Sequence, residues 1–286
     1  MPELPEVETI RRGLQKKIIN KKIVNIEVIK PKLIRNKMDY FLNTLKNNYI
    51  FDIDRVGKLL IFNLAKDDLY LLVHLKMTGQ LIYVLGDSYL AGGHNFPQVD
   101  NLPNKYSHII IRFSDNSHLF FNDLRQFGYW QIVDKNQRQK IENKYGLEPG
   151  KENFKWSEFK KIFNKRKGVL KAILLNQQII SGIGNIYADE ICFRAKILPD
   201  RTVDTLTESE IKILYQACQY IINKAIVNRG TTFSDYRDSD NQKGNFVRFL
   251  KVYGRAGKKC LRCKKEDIKK IKLAGRGTHY CPNCQK

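Results

Sequence analysis

The sequence lacks several features that would decide the class of protein at once. No apolar run among its 286 residues is long enough to cross a bilayer. The N-terminus has no basic segment followed by an apolar one, as a secretory signal would have, and residues 1–6 are acidic instead. Acidic residues are few overall, since 29 Asp and Glu stand against 51 Lys and Arg, a net charge of +22. We therefore expect a cytoplasmic protein with a strongly cationic surface.

Such a charge imbalance favours a polyanionic partner, because basic side chains that neutralise phosphates release counterions. A generic basic protein from an organism with lysine-rich coding would show the same total. The C-terminal tail is more specific, since in residues 254–286 only Glu266 and Asp267 oppose the basic side chains. The charge therefore favours nucleic acid as the partner and carries no information about chemistry.

The six cysteines divide into two kinds. Cys192 and Cys218 stand singly in apolar helical patterns, and we expect inert core thiols there. The other four form two Cys-x-x-Cys pairs separated by 17 residues, a spacing typical of a structural zinc site. With all four zinc positions filled by thiolates, no position is left for a water, so the pattern disfavours zinc-dependent deaminase chemistry. The predicted ligands of this single zinc ion are Cys260, Cys263, Cys281 and Cys284.

The hydrophobic pattern changes along the chain. A helix is predicted at the first residues, and short β-type runs follow from residue 23 to residue 133, which indicates an antiparallel sandwich or barrel. Residues 86–105 are interpreted as a long surface loop and residues 134–154 as a linker. Helical patterns dominate afterwards, most clearly over residues 207–229, where Thr207 and Glu210 form a capping-box pattern. The cysteine segment is predicted to fold as a β-hairpin finger.

The N-terminal residues have a chemical as well as a structural interpretation. Pro2 suits the first turn of a helix, where its missing N–H is no loss, and Glu3 and Glu6 suit the positive end of that helix. If Met1 is removed, Pro2 carries a free secondary amine that is partly neutral, and therefore nucleophilic, at neutral pH. Glu3 could then deliver a proton to an opening sugar ring. The alternative is a well-capped helix start without chemistry.

Seven motifs, in order along essentially the whole chain, resemble those of the bacterial formamidopyrimidine-DNA glycosylases, a family of base-excision repair enzymes. The resemblance implies excision of oxidised purines through an N-terminal proline Schiff base, followed by β,δ-elimination as an abasic-site lyase. It also implies double-stranded DNA as the partner and action at the nucleoid, and we expect a monomer. The motifs are residues 2–9, 57–60, 74–77, 123–128, 182–187, 252–255 and 275–278.

The resemblance also implies an α+β fold in two parts. The N-terminal part would be an antiparallel β-sandwich preceded by a helix. The C-terminal part would be helical, with a helix–two-turn–helix element and a zinc β-hairpin finger. The predicted segments are a catalytic domain over residues 1–134, a linker over 135–154, a helical DNA-binding domain over 155–250 and a finger over 251–286.

The residues implied as catalytic are Pro2 as nucleophile, Glu3 as proton donor, Lys58 and Arg276. In the family, the lysine that matches Lys58 assists proton transfer and contacts phosphate. The arginine that matches Arg276 grips the phosphates flanking the flipped nucleotide and takes part in the second elimination. A surface lysine is the alternative for Lys58 in a chain with so many basic residues.

The implied DNA contacts fall into two groups. Met77, Arg125 and Phe127 resemble the side chains that fill the space left by an extruded nucleotide, a need that follows from chemistry at a buried C1′ atom. For His74, a hydrogen-bonded structural histidine is an equal alternative. The implied contacts to the phosphate backbone are His74, Arg166, Lys171 and Asn185.

Lesion recognition is the least constrained part of the resemblance. Leu4 favours the oxidised-purine branch over the endonuclease VIII relatives, and Glu6, Glu148 and residues 231–245 are candidate neighbours of the damaged base. The sequence departs from the family pattern at four positions, which leaves loop rigidity, one phosphate contact and the role of Glu148 open. These positions are Tyr106, Leu124, Gln126 and Leu147.

Two other functions remain as alternatives. One is an oxidised-pyrimidine glycosylase of the endonuclease VIII type. The other is a zinc-finger DNA-binding protein without catalytic activity, which would have no need for Pro2, Glu3, Lys58 and Arg276 together.

Overall fold

The computed structural model describes residues 1–86, 88–93, 101–231 and 245–286. The chain forms two compact units, each assembled from two stretches of sequence. Met1–Asn143 and Arg229–Asn245 form the first unit, and Lys144–Asn228 and Phe246–Lys286 form the second. The helical segment and the finger, which the sequence analysis treated as separate domains, therefore share one unit.

The first unit begins with helix α1 and continues as a series of short strands. A second helix, α2, stands between β1 and β2, and α3 follows β9 within the segment interpreted as a linker. The bounds are α1 (Leu4–Ile18), β1 (Ile23–Val28), α2 (Met38–Leu45), β2 (Ile50–Val56), β3 (Leu59–Leu64), β4 (Tyr70–His74), β5 (Gly79–Leu85), β6 (Ser88–Gly93), β7 (Ser107–Phe113), β8 (His118–Asp123), β9 (Tyr129–Val133) and α3 (Lys135–Glu142).

Among the described residues, these strands form two antiparallel sheets, ordered β1-β7-β8-β5-β6 and β2-β3-β4-β9. Alternate residues of facing strands, such as Phe62 and Phe121, enter one shared core, as the period of two along a strand requires. Helix α1 contributes the apolar stripe Val7, Ile10, Leu14 and Ile18 to the same core. The predicted antiparallel sandwich with an N-terminal helix is confirmed.

One expectation for this unit is wrong. Residues 86–105 were interpreted as a surface loop, but β6 (Ser88–Gly93) pairs with β5 and forms the edge of its sheet. The consecutive Gly92 and Gly93 hid the strand, because glycine is depleted in strands and marks turns in sequence patterns. Residues 94–100 of that stretch lie outside the described residues.

The second unit is helical and ends in a hairpin. Its bounds are α4 (Trp156–Asn164), α5 (Leu170–Leu175), α6 (Asn185–Ala195), α7 (Glu208–Val227), β10 (Lys269–Leu273) and β11 (Arg276–Tyr280). The predicted capping box of α7 is confirmed, since the Glu210 N–H donates to Thr207 Oγ1 at 3.2 Å and the Thr207 N–H donates to Glu210 Oε2 at 2.8 Å. In the described part of the chain, no helix is both long enough and apolar enough to span a membrane.

The finger is a two-stranded antiparallel hairpin, as predicted. Leu273 and Arg276 face each other, so Ala274 and Gly275 alone make the turn. Both have positive φ, 48° and 71°, which matches the mirror-image turns that tight hairpins favour. This turn places Arg276 at the first position of the returning strand.

Candidate functional site

The chain start differs in detail from the prediction. Helix α1 begins at Leu4 with Glu3 as its N-cap, and Pro5 rather than Pro2 lies in the first turn. The Glu3 N–H donates to Glu6 Oε2 at 2.9 Å, which satisfies one of the amides that a helix start leaves unpaired. The placement of Pro2 in the first turn was therefore wrong. Pro2 precedes the helix, and both Pro2 and Glu3 are buried.

The Met1 amine, next to Pro2, lies in an environment that favours its neutral form. Burial lowers its pKa from the ordinary 8.0, whereas the charges of Glu3 and Glu6 raise it and that of Lys58 lowers it again. The net shift is downward, so a larger fraction of the amine is neutral at pH 7 than on an exposed chain end. Two carboxylates and one ammonium group thus act on the same amine.

Lys58 is not the surface lysine of the alternative interpretation, because it is only 8% exposed. It follows Gly57, whose φ of 55° closes the β2–β3 turn. The Arg55 Nη1 donates to the Gly57 carbonyl at 2.7 Å, and its Nε donates to Glu8 Oε2 of helix α1 at 3.0 Å. An ion pair therefore ties the turn that carries Lys58 to the helix that carries Glu3.

Glu8 is the centre of this arrangement. Burial alone would raise the pKa of its carboxyl group, but hydrogen bonds from Arg11 and Arg12 and the charge of Arg55 outweigh it and hold the pKa at about 2. Neither Glu8 nor Arg55 is among the catalytic or DNA-binding residues predicted from the sequence. The spacing of Glu8 from Arg11 and Arg12 is a helical ion-pair signal, whereas nothing in the sequence pattern connects Glu8 with the distant Arg55.

His74 has a structural hydrogen bond and still offers a donor. Its Nδ1 accepts the Lys76 N–H at 3.0 Å. Burial, and then the charges of Lys76, Lys58 and Arg35, lower the pKa of His74 to about 3. The ring is therefore neutral at physiological pH with its proton on Nε2, a state that can donate to a phosphate oxygen. The geometry is compatible with both interpretations of this histidine.

The structure brings the three predicted void-filling side chains to two neighbouring turns. Met77 lies in the β4–β5 turn, and Arg125 and Phe127 lie in the β8–β9 turn. Phe127 is 54% exposed, and the Arg125 guanidinium lies 4.6 Å from its ring centre. The Arg125 N–H donates to Thr78 Oγ1 at 2.9 Å, which connects the two turns directly. An exposed aromatic ring beside an exposed arginine suits insertion into a base stack.

The Glu6 carboxylate accepts hydrogen bonds from two separate segments of the chain, at Glu3 and at Thr231. Besides the Glu3 N–H, its carboxylate accepts the Thr231 N–H at 2.7 Å and the Thr231 hydroxyl at 3.0 Å, both on Oε1. Gly230 lies so close that an added Cβ would be 2.4 Å from Glu6 Oε1. Residues 232–244, most of the segment predicted to neighbour the lesion, lie outside the described residues. The role of Glu6 in lesion recognition stays a prediction.

In the second unit, Lys171 corrects a prediction. It was expected to contact phosphate, but it is fully buried, and its Nζ lies 2.5 Å from Asp189 Oδ1 and 2.8 Å from Thr278 Oγ1. The other oxygen of Asp189 accepts the His279 N–H at 2.8 Å. Lys171 therefore holds α5, α6 and the finger hairpin together and is not a surface ligand. The resemblance had implied a phosphate contact, but a lysine this buried needs a partner inside the protein, and Asp189 is that partner.

Asn185 opens α6, as predicted, with Gly184 as the N-cap. Its Nδ2 donates to the Gly277 carbonyl at 3.0 Å, so the side chain also holds the hairpin. Backbone N–H groups at this helix start remain the predicted phosphate donors. Arg166 and Arg276 are exposed, as such contacts require, and Glu148 is buried at 3% exposure. For these residues the assigned roles stay predictions.

The four finger cysteines meet at one point. Their sulfurs all lie within 4.8 Å of one another, and the Cys260–Cys284 and Cys263–Cys281 sulfur pairs are 3.8 and 3.7 Å apart. A tetrahedron with zinc–sulfur bonds of roughly 2.3 Å has edges of about 3.8 Å, so this donor set fits zinc. Cys192 and Cys218 are fully buried, as expected of core thiols, and burial raises the pKa of each.

Three family descriptions match successive parts of the chain. Residues 1–130 match the formamidopyrimidine-DNA glycosylase N-terminal domain, residues 145–237 the H2TH domain of that enzyme, and residues 257–286 a zinc finger found in FPG and IleRS. The formamidopyrimidine-DNA glycosylase of Pelotomaculum thermopropionicum is 41% identical over 100% of this chain and 99% of its own.

Solved structures agree with these matches. Two complexes of wild-type Lactococcus lactis Fpg are 36% identical to this chain, with a TM-score of 0.87 and full coverage of both chains. One contains DNA with an N7-benzyl-Fapy-dG, and the other contains DNA with an oxidised pyrimidine.

Proposed function

The chain belongs to the formamidopyrimidine-DNA glycosylase family and is a DNA glycosylase of base excision repair, and on that basis we propose that it excises oxidised purines through Pro2 and then cleaves the backbone as an abasic-site lyase. The observation that carries the proposal is the chain start, where Pro2, Glu3 and Lys58 are all buried and burial lowers the pKa of the adjoining Met1 amine. Removal of Met1 transfers the free amine to Pro2.

The first step forms a bond between the Pro2 nitrogen and C1′ of the damaged nucleotide. The bond from C1′ to the base breaks, and the departing base takes up a proton. Glu3 supplies a proton to the ring oxygen as the sugar opens, and the adduct becomes a cationic iminium, because proline is a secondary amine. Lys58, held by Arg55 and Glu8, is placed to assist these proton transfers and to contact phosphate.

The second stage is elimination. The positive charge of the iminium acidifies the C2′ protons, so loss of one of them breaks the C3′–O bond and releases the 3′ strand. A second elimination removes the C4′ proton, breaks the C5′–O bond and releases the 5′ strand as its phosphate. Arg276 stabilises the departing phosphate from the finger, and its exposure at the start of β11 suits that role.

A zinc ion bound by the four finger cysteines would act structurally, and we propose one such ion. It would lock the hairpin from which Arg276 projects, and a long arginine side chain needs a rigid base to be positioned. We further propose that the protein works as a monomer on double-stranded DNA. Met77, Arg125 and Phe127 fill the space left by the extruded nucleotide.

The experiment is covalent trapping. Protein whose N-terminal mass shows that Met1 is removed is incubated with a duplex carrying 8-oxoguanine opposite cytosine in the presence of borohydride. A trapped complex with the adduct on Pro2 is expected with wild type, whereas Pro2→Gly, which replaces the secondary amine by a primary one, should excise the base far more slowly. Lack of trapping by zinc-loaded wild type would refute the proposal. Strand cleavage at the wild-type rate by Pro2→Gly and Glu3→Gln would instead point to another nucleophile, and absence of both cleavage and trapping in wild type would favour the inactive-binder alternative.

A second candidate is excision of oxidised pyrimidines, which the oxidised-pyrimidine complex of the Lactococcus lactis protein favours. Leu4 and the family match speak for purines as the better substrates. Comparing single-turnover rates on thymine glycol and on 8-oxoguanine opposite cytosine separates the two. A faster rate on thymine glycol would reverse the assigned preference.

A further inference from the structure

Two turns at one end of the sandwich are joined by a buried hydroxyl and a buried carboxylate. Thr78 ends the β4–β5 turn and is 6% exposed, and Asp123 ends β8 and is 0% exposed. The Thr78 hydroxyl donates to Asp123 Oδ1 and accepts the Arg125 N–H at 2.9 Å. The hydroxyl therefore links both turns through one oxygen atom, in an environment where such bonds are strong.

Asp123 is itself fixed from several directions. Its N–H donates to the Tyr106 carbonyl at 3.0 Å, and its own carbonyl lies 2.9 Å from His108 Nε2. Its second carboxylate oxygen accepts the Gly128 N–H at 2.7 Å, which closes the β8–β9 turn on itself. These bonds hold the Asp123 carboxylate in one position, so it can fix the β4–β5 and β8–β9 turns relative to each other.

Both turns also need glycine at a point of close approach. A Cβ on Gly79 would lie 2.4 Å from the Leu75 carbonyl oxygen. A Cβ on Gly128 would lie 2.6 Å from the Phe121 ring and 3.1 Å from the His74 carbonyl oxygen. The short distance between Gly128 and the His74 carbonyl shows that the β8–β9 turn packs against the end of β4. The two turns are therefore packed as well as hydrogen-bonded.

We propose that Thr78 and Asp123 are positioning residues that join the two turns into one rigid wedge, so that Met77, Arg125 and Phe127 enter the base stack together. The inference rests on the proposed function, which has these three side chains fill the space of the extruded nucleotide. Neither Thr78 nor Asp123 needs to touch DNA. Their effect is to hold the wedge in its working geometry before DNA binds, which removes an ordering cost during extrusion.

This role predicts a split between two steps of the reaction. Extruding a base from a duplex depends on a correctly formed wedge. Covalent attack at an abasic site depends on it less, because that site has no base to extrude. Loss of the Thr78 hydroxyl should therefore slow excision of a base far more than trapping at an abasic site.

The test compares Thr78→Val, which keeps the shape and loses the hydroxyl, with Thr78→Ser, which keeps the hydroxyl. Single-turnover excision of 8-oxoguanine opposite cytosine is measured beside borohydride trapping on an abasic duplex, each normalised to the trapping end point so that only folded enzyme is counted. We expect Thr78→Val to lose roughly tenfold or more in excision and less than about threefold in trapping. Thr78→Ser should stay near wild type.

Ser117→Ala is the matched control. Ser117 is fully buried and donates its hydroxyl to Asp115 Oδ1 at 2.5 Å, at the opposite end of β8 from Asp123. Its removal likewise costs a hydrogen bond from a buried hydroxyl to an aspartate, here the exposed Asp115, far from the wedge, and both rates should stay at the wild-type level. Equal losses of excision and trapping in Thr78→Val, or no loss of either, would overturn the inference.

A double-mutant comparison addresses how Thr78 acts. If it acts through the wedge, Thr78→Val should slow excision by Phe127→Ala protein much less than it slows wild type, and additive losses would contradict this. A wild-type enzyme that fails to trap would refute the proposed function itself. Wild type that traps normally while Thr78→Val matches it on both substrates would remove only the positioning role.

Discussion

The two units hold their key side chains by different physical means. In the first unit, Lys58 and the N-terminal residues are placed by buried ion pairs and tight turns, with Glu8 and Arg55 as the central pair. In the second unit, Arg276 projects from a short hairpin with a small apolar core around the finger cysteines. The first arrangement is supported by a large sandwich core. The second needs additional links, such as a bound zinc ion or a buried ion pair, because few apolar residues can be buried in so short a segment.

The contrast shows what each unit should tolerate. A large core can lose one polar contact and keep its fold, so damage in the first unit should appear as altered chemistry. A finger that depends on such links should lose its structure when one of them is removed.

Removing zinc should have the largest effect, and only on the finger. Structural zinc contributes on the order of 10 kcal/mol or more to the folding of small finger domains. Chelation, or Cys281→Ser, should therefore abolish protection of the β10–β11 amides in hydrogen exchange and abolish strand cleavage. Amides of β3 and β4 in the first unit should exchange as in the untreated protein. Equal loss of hydrogen-exchange protection in both units would show that zinc does not stabilise the finger alone.

Breaking the buried Lys171–Asp189 pair should come next. Lys171→Met leaves Asp189 buried with an uncompensated charge, for which we expect a loss of about 3–5 kcal/mol in stability of the second unit, measured by denaturant unfolding. Lys160→Met is the matched control, because Lys160 pairs with Glu208 at 2.6 Å on the surface. It should cost about 1 kcal/mol or less. Equal losses of unfolding free energy in the two variants would argue against a stabilising buried ion pair at Lys171.

The second unit also shows where sequence patterns were sufficient. The capping box of α7 and the Cys-x-x-Cys pairs are local signals, and the structure has both where they were predicted. The role of Lys171 was not predictable, because its partner Asp189 lies on another helix and the pairing is visible only in three dimensions.

The first unit follows the same rule. Most strand positions were predicted from short β-type runs separated by turn residues, and β6 was missed because Gly92 and Gly93 signal a turn. Pro2 was placed in the helix because a proline suits a first turn, although Pro5 takes that position. The link from Glu8 through Arg55 to the turn of Lys58 joins three separate elements, so no local pattern could reveal it.

Acid should lower the unfolding free energy of the first unit through protonation of Glu8, by less than the loss expected for Lys171→Met in the second unit. The pKa of Glu8 is lowered from 4.5 to about 2 in the folded protein, so its stabilisation is complete above the unfolded value and is lost as pH falls from about 4.5 towards 2. After allowance for solvent screening we expect about 2 kcal/mol. In Glu8→Gln, stability measured by unfolding should change less between pH 5 and pH 3 than in wild type. An unchanged pH dependence would remove Glu8 as the main contributor.

Trapping as a function of pH decides whether the Pro2 amine, once Met1 is removed, reacts as a neutral nucleophile in the same surroundings that lower the pKa of the Met1 amine. Trimmed, zinc-loaded protein is trapped on abasic DNA with borohydride across pH 5–9, and the adduct is located by mass spectrometry. The amine must lose its proton to react, so trapping should rise with pH and reach half its maximum below pH 8.0, with the adduct on Pro2. An adduct on Lys58 or another lysine, or a midpoint at or above pH 8.0, would contradict the account.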